Sequence, residues 1–119
     1  MKIRGREVKF LRTVKTTSDI ASLCPDEDIE RVGELFSGPL PKVLETGAKI
    51  IHSLNEGYEM NKHFDDPSYQ PQILSVDEIL YLNDKVFTQL MNDAMANFNN
   101  GAETKIELEE SKKKETEEE

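Results

Sequence analysis

Side chains that could act as nucleophiles or metal ligands are few and widely spaced in this chain of 119 residues. Its single cysteine is Cys24, and its two histidines are His52 and His63. A cysteine nucleophile needs a partner base, and no His, Asn or acidic arrangement around Cys24 can be recognised. The histidines stand eleven residues apart, without a second metal ligand at helical spacing. We therefore expect no metal site and no catalytic cysteine; Cys24 should be a buried or half-buried thiol.

A run of acids, Asp26-Glu27-Asp28, is the other group that suggests chemistry, here calcium binding. The three are consecutive, so they lack the alternating ligands, central glycine and terminal glutamate of a calcium loop. They follow Pro25, where acids favour the start of a helix. The chain also has no glycine-rich phosphate loop and no paired carboxylates framed by apolar neighbours. The sequence thus predicts no enzyme and no cofactor.

Charge is spread unevenly along the chain, whose net charge is −9. Residues 1–15 carry +5, residues 16–100 carry −10 and residues 101–119 carry −4. An acidic body repels phosphates, and basic residues alternating with apolar ones are more typical of a sheet's solvent face than of a nucleic-acid site. No apolar run could span a membrane, and residues 1–15 lack a signal peptide's apolar region. We expect a cytoplasmic protein that binds neither nucleic acid nor membrane.

The sequence of the first third of the chain predicts a small hairpin followed by two helices. Lys2–Phe10 alternates apolar and charged residues around a turn near Gly5-Arg6, and its apolar side chains should pack on the helices. A weak helix is expected over Val14–Leu23. A second helix should begin at Pro25 and place Ile29, Val32 and Phe36 on one face.

A long helix is predicted from Lys42 to about Lys62. Gly47 and Gly57 lie inside it, and each costs about 1 kcal/mol relative to alanine, so each should either allow close approach of a neighbour or mark a break. The apolar residues of this helix fall on or near one stripe, formed by Val43, Leu44, Ile50, Ile51, Leu54 and Tyr58.

The last helical region follows a proline-containing loop over residues 65–72. Ser75 and Glu78 match a capping box, which places a helix start at Ser75. A second cap at Asn83 or Asp84 should divide the region into a short and a longer helix. The longer helix carries a wide apolar stripe, formed by Phe87, Leu90, Met91, Ala94 and Phe98.

After Asn100 the apolar content falls sharply, and the chain ends in a run of lysines and glutamates. Such a segment buries too little surface to offset the entropy lost on ordering it. We therefore predict a mainly α domain with a small N-terminal β-hairpin (α+β) over residues 1–100, followed by a disordered acidic tail over residues 101–119.

With these elements the chain resembles the tail assembly chaperones of long-tailed bacteriophages and prophages of Gram-positive bacteria. The resemblance covers roughly Met1 to Asn100. It rests on the hairpin at Lys2–Phe10, the pattern over Ile50–Glu59, the helix start over Ile73–Leu82 and the lysine-containing polar end.

This resemblance implies a protein that binds the long, helical, aggregation-prone tape measure protein in the host cytoplasm while the tail tube is assembled, and that is not expected in the mature virion. The tail tube protein and a second copy of the chain are further candidate partners. The family also makes a longer, frameshifted form. Lys112-Lys113-Lys114 is compatible with a slippery adenine-rich run and equally with a charge-balanced tail.

Two apolar stripes are the candidate surfaces for such a partner, and most of their members should be core. Methionines on the second stripe could instead line an adaptable groove. An alternative function is a small acidic adaptor that binds a basic partner surface as a nucleic-acid mimic. The candidate partner-binding residues are Ile50, Ile51, Leu54, Tyr58, Phe87, Leu90, Met91, Ala94 and Phe98.

Overall fold

The computed structural model describes residues 1–114 of the chain, with side chains described for residues 1–100. The described part is mostly helical, with one two-stranded antiparallel hairpin, which confirms the predicted fold class. The predicted tail, residues 101–119, lies outside the residues whose side chains are described. The elements are β1 (Lys2–Ile3), β2 (Arg6–Glu7), α1 (Val14–Ala21), two 3-10 segments (Pro25–Glu27 and Ile29–Phe36), α2 (Leu40–Asp65), α3 (Val76–Leu80) and α4 (Asp84–Lys114).

The hairpin turns one residue earlier than predicted. Ile3 pairs with Arg6, so the two turn residues are Arg4 and Gly5, with φ of 51° and 83°. Positive φ at both central residues is the conformation that matches the twist of two short strands. Ile3 and the following Val8 are buried at 3% and 4% exposure, which confirms that the hairpin packs its apolar side chains on the helices.

The predicted helix at residues 25–36 forms instead as two 3-10 segments. Asp26 and Glu27 have positive φ, and Asp28 is extended at the junction, where its side chain accepts a hydrogen bond from the Glu30 N–H. Three residues per turn put positions i, i+3 and i+6 on one face. The residues packed against the core are therefore Ile29, Val32 and Leu35, and the predicted third member, Phe36, is exposed.

Helix α2 is the central element, and it continues without a break through both of its glycines. An added Cβ at Gly47 would lie 3.1 Å from Met91 Sδ, and one at Gly57 would lie 2.4 Å from the Leu11 backbone oxygen. Of the two roles expected for these glycines, close approach of a neighbour is the one observed.

Helices α3 and α4 begin where the sequence predicted. Ser75 Oγ accepts from the Glu78 N–H at 3.0 Å, while Glu78 Oε1 accepts from the Ser75 N–H at 3.3 Å, so the capping box is complete. Asn83 Oδ1 accepts from the Val86 N–H at 2.9 Å and provides the second cap. Both starts depend on contacts within three residues, which explains why the sequence located them.

Glu78 gives a prediction with a defined pH dependence. Its hydrogen bond from the Ser75 N–H and its ion pair with Arg6, at 2.9 Å, lower the pKa of its carboxyl below the usual 4.5. A lowered pKa in the folded state stabilises the fold above the unfolded value, and this stabilisation is lost as the pH falls through the folded value. We expect Glu78→Gln to lower the free energy of unfolding at pH 7 by about 0.5 kcal/mol, as for an exposed cap.

The measurement is urea denaturation of both proteins from pH 7 to pH 3. The difference between them should shrink as the pH falls below 4.5. A difference that stays constant over this range would show that the charge of Glu78 is not what stabilises the cap.

The core lies where α1, α3, α4, the hairpin and the loop before α3 pack around α2. Its twelve buried members are Ile3, Val8, Ile20, Ala48, Ile50, Ile51, Leu54, Leu74, Ile79, Leu90, Ala94 and Phe98. In the part of the chain that the structure describes, no helix is long and apolar enough to cross a membrane.

Candidate functional site

The exposed large apolar side chains of the described residues are concentrated on two surfaces. At the C-terminal end of α2, Phe64 is 72% exposed, and across from it Val14, the first residue of α1, is 89% exposed. At the other end of α2 four further side chains are exposed, namely Leu40, Leu44, Leu80 and Tyr81. Scattered exposed apolar residues are ordinary, but clustered ones mark interaction surfaces.

The first surface is a groove between α1 and α2, which we call the Val14–Phe64 groove. Its volume is about 590 Å³. Met60, Thr13, Thr16 and Gly57 line it together with Val14 and Phe64. Thr13 caps α1 by accepting from the Thr16 N–H at 3.0 Å, and α1 buries Thr16 and Ile20. Because those residues face the core, Val14 is left facing solvent.

The groove exists because the segment before α1 crosses α2 at Gly57. There the Leu11 N–H donates to the Leu54 carbonyl at 3.0 Å, a hydrogen bond between the crossing segment and the interior of a helix. The absence of a side chain at Gly57 allows the Leu11 backbone to approach so closely.

Side chains from α2 and α4 hold this crossing segment in place. Asn55 Nδ2 donates to the Lys9 carbonyl, and Asn97 Nδ2 donates to the Phe10 carbonyl, each at 3.0 Å. Arg12 donates to the Phe98 carbonyl at 3.1 Å and stacks over the Phe98 ring at 4.0 Å. One wall of the groove is therefore held in place by two helices, α2 and α4.

Charged side chains of both signs line one edge of the groove. Lys15 Nζ lies 2.9 Å from Asp19 and 3.3 Å from Glu56, and the hydrogen bond with Asp19 is the main reason that the pKa of Lys15 is raised. These groups are largely exposed, so they add little stability. They give the apolar groove a polar rim.

The polar face of α2 contacts a neighbouring loop. Four side chains, His52, Asn55, Glu59 and His63, follow one another at intervals of three or four residues and all contact residues 69–74. Glu59, only 2% exposed, accepts from the Tyr69 hydroxyl at 2.6 Å and from the Gln72 N–H at 2.9 Å. The hydrogen bond from the Tyr69 hydroxyl to the Glu59 carboxylate is the main cause that raises the pKa of Tyr69 to about 12.

Both histidines have a structural contact. His52 Nδ1 lies 2.6 Å from the Leu74 carbonyl oxygen, and His63 Nδ1 lies 2.8 Å from the Tyr69 carbonyl oxygen. A carbonyl can only accept, so each Nδ1 carries the proton. Among the described residues, no group of three or more His, Cys, Asp or Glu could hold a metal ion.

Cys24 is buried at 6% exposure, as expected, and its thiol donates to the Ile20 carbonyl at 3.3 Å. Burial, aided by the negative charges of Asp28 and Glu34, raises the pKa of this thiol. A raised pKa disfavours the thiolate, which is the reactive form.

The nine residues expected to bind a partner divide into two groups. Tyr58, Phe87 and Met91 are partly exposed. The other six are at most 3% exposed and pack in the core, so in this fold they offer no free surface; they are Ile50, Ile51, Leu54, Leu90, Ala94 and Phe98. The expectation that most members of the two stripes are core is therefore confirmed. That the nine residues bind a partner stays a prediction.

The exposed apolar residues were not among the nine, because a periodic apolar stripe marks the buried face of a helix. Val14 and Phe64 lie off the stripes, and only their position outside the apolar period could have singled them out.

The second surface is formed by Leu40, Leu44, Leu80 and Tyr81, and we call it the Leu40–Tyr81 surface. On α2, its residue Leu44 precedes Phe64 of the first surface by twenty positions. This spacing corresponds to about 30 Å along the helix and about 200° around it. Its shallow groove has a volume of about 230 Å³, with Phe87 among the residues that line it. The two surfaces therefore lie at opposite ends and on opposite sides of α2.

Comparisons of the chain with protein-family models, curated proteins and solved structures found no match.

Proposed function

We propose that this protein is a tail assembly chaperone that binds the tape measure protein and keeps it soluble in the host cytoplasm during tail tube assembly. The proposal starts from the sequence resemblance. Its structural support is the Val14–Phe64 groove, an apolar groove bounded by two helices and edged by charge. The tail tube protein is a further partner under the same proposal.

An amphipathic helix is the occupant that suits this groove. Such a helix places apolar side chains at i, i+3 or i+4, and i+7 along one face, which is how helices bind to apolar grooves. Val14 and Phe64 both line the groove, with most of their surface in solvent. A tape measure protein with exposed apolar helix faces would cover them both.

The expected energy of this contact follows from the apolar area that it buries. Full burial of a valine or phenylalanine side chain contributes about 1.5–3 kcal/mol. Each factor of ten in affinity corresponds to about 1.4 kcal/mol. The two side chains together therefore account for at least about a hundredfold in affinity.

The test is co-expression of the full chain with the tape measure protein of its own gene cluster, followed by affinity capture. We expect the wild-type protein to keep the tape measure protein soluble and to capture it in low and in high salt, because apolar contacts are little screened. Phe64→Ser and Val14→Ser should each weaken capture by about tenfold or more, without loss of stability, since both side chains are exposed.

The matched control is Tyr81→Ser, which removes a side chain that is 84% exposed on the other surface. It should leave capture within about twofold of wild type. If the groove variants capture as well as wild type, the groove is not the binding site. If no tape measure protein is captured in either salt condition, the proposed function fails.

A second candidate function is the acidic adaptor, which the 3-10 segments favour. Residues 26–34 expose several carboxylates, and only one cation, Arg31, lies among them, where it pairs with Asp26 at 2.6 Å and Glu34 at 2.8 Å. A partner held by this charge would be basic and would be released as the salt concentration rises. Capture of a basic protein that is lost in high salt would favour this function.

A further inference from the structure

A further groove lies along another face of α1, and we call it the Arg12 groove. Its volume is about 580 Å³, within the range of about 300–1,000 Å³ that is typical of ligand pockets. Most of the α1 residues that line it have short side chains, among them Thr17, Ser18 and Ala21. Val14 also lines it, so the Arg12 groove adjoins the Val14–Phe64 groove.

The side chain of Arg12 is fixed at this groove by three contacts. Its Nε donates to Thr17 Oγ1 at 3.0 Å, its Nη1 donates to the Phe98 carbonyl at 3.1 Å, and the guanidinium lies over the Phe98 ring at 4.0 Å. A guanidinium has five N–H donors, and the two hydrogen bonds leave three of them for another acceptor. Because the side chain is already held in one place, an acceptor that binds it costs little further entropy.

The charge of Arg12 has no balancing carboxylate in the part of the chain whose side chains are described. The ion pairs there use the N-terminus, Arg6, Lys15 and Arg31 as their cations. Burial lowers the pKa of the Arg12 guanidinium, since the cation is partly removed from water. A buried charge is costly unless it is paired, so an anion that enters the groove would be favoured at this position.

Two carboxylates, those of Glu27 and Asp28, line the same groove. Glu27 is kept near the C-terminal end of α1 by two backbone hydrogen bonds, one from the Glu27 N–H to the Cys24 carbonyl at 3.0 Å and one from the Cys24 N–H to the Ala21 carbonyl at 2.9 Å. Arg12 lies instead beside the first half of α1. The groove therefore carries a cation and carboxylates at different positions along the helix.

This arrangement of charge determines which class of anion suits the groove. A polyphosphate or a nucleic acid is negative throughout, so the two carboxylates would repel it. A protein segment that carries one acidic and one basic side chain complements both signs. Arginine binds carboxylates with two parallel N–H···O hydrogen bonds, which adds geometric specificity to the charge.

We infer that the Arg12 groove binds an acidic side chain of a protein partner. Arg12 donates to the partner's carboxylate, and Glu27 and Asp28 accept from a basic side chain nearby on the same partner. The inference goes beyond the proposed chaperone function, because it holds for any partner with this pair of charges and uses a different groove.

The test is a nitrogen–hydrogen NMR correlation experiment on the full chain, titrated at constant ionic strength with three separate probes. The probes are the dipeptide Glu-Lys with both ends capped, the equally capped Gln-Lys, and inorganic phosphate. We expect Glu-Lys to shift the Arg12 Nε–H signal and the amide signals of Thr17 and Ser18. Its affinity should exceed that of Gln-Lys by at least about tenfold, because a hydrogen bond between charged groups is stronger than one to a neutral group. Phosphate should bind more weakly than Glu-Lys.

Two variants of Ser18 test the role of charge without disturbing the contacts of Arg12 with Phe98. Ser18→Glu supplies a carboxylate to the groove from within the chain and should lower the affinity for Glu-Lys by at least about tenfold. Ser18→Gln adds a neutral side chain of matched size and should leave the affinity within about twofold. Ser18 is exposed, so both variants should keep the thermal midpoint of the wild-type protein.

Four results would overturn the inference. They are no shift of the Arg12 signal with Glu-Lys, equal affinity for Glu-Lys and Gln-Lys, tighter binding of phosphate than of Glu-Lys, and an equal loss of affinity in both Ser18 variants. The tape measure protein is absent from this experiment, so its outcome is separate from that of the capture test.

Discussion

Replacing Gly57 by alanine is expected to lower the free energy of unfolding by about 3 kcal/mol, at the upper end of what overpacking costs. The new Cβ would lie 2.4 Å from the Leu11 backbone oxygen and 2.9 Å from Thr16 Oγ1. A backbone oxygen cannot rotate away as a side chain can. The crossing segment would have to lift from α2, which would break the hydrogen bond from the Leu11 N–H to the Leu54 carbonyl.

The sign of this effect makes it a strong test. In an ordinary helix interior, glycine to alanine stabilises by up to about 1 kcal/mol. The matched control is Gly33→Ala, because nothing lies within 4 Å of the Cβ that it would add and its φ is not positive. This variant should be neutral or slightly stabilising.

Thermal and urea unfolding of the three proteins provide the measurement. A loss of 3 kcal/mol corresponds to a fall of about 15 °C in the midpoint for a domain of this size. An unchanged or higher midpoint for Gly57→Ala would show that the crossing segment does not pack on α2 as described.

Replacing Asn55 by alanine should have a comparable effect, a loss of about 3 kcal/mol. Asn55 is 1% exposed and joins two distant segments, since its Nδ2 donates to the Lys9 carbonyl and its Oδ1 accepts from the Leu74 N–H at 2.8 Å. Alanine would remove both hydrogen bonds and leave the buried Leu74 N–H without this acceptor. Each unsatisfied buried group costs about 1–3 kcal/mol.

Asn61 provides a matched asparagine on the same helix. It is exposed, and its Nδ2 donates to the Gly57 carbonyl one turn back in α2. Asn61→Ala should change stability by no more than about 0.5 kcal/mol, since alanine also has the better helix propensity. The urea midpoint should therefore fall for Asn55→Ala and hardly move for Asn61→Ala, at equal slopes. Equal shifts in both variants would contradict the role assigned to Asn55.

The elements that the sequence predicted well are those stabilised by nearby residues. The capping box of Ser75 and Glu78 and the cap at Asn83 span three residues each. The two apolar stripes predicted which faces of α2 and α4 are buried, because a helix repeats every 3.6 residues whatever packs against it.

The 3-10 segments show where this reasoning fails. The sequence over residues 25–36 contains a proline and three acids typical of an α-helix start, and it predicted a face ending at Phe36. The difference between an α and a 3-10 register is small in local energy. The packing of Leu35 rather than Phe36 against the core accompanies the 3-10 register.

The sequence by itself determined the mainly helical class, the helix starts, the buried stripes and the uneven charge, since each depends on residues within one or two turns of one another. Only the tertiary structure decided the role of Gly57, the buried polar contacts of Asn55 and the two exposed apolar surfaces. Gly57 meets Leu11 and Asn55 meets Lys9, contacts that span more than forty residues. Which apolar residues stay exposed is likewise decided by what fails to pack over them. The sequence marks Val14 and Phe64 only as lying outside an apolar stripe, and it does not show that they line one groove.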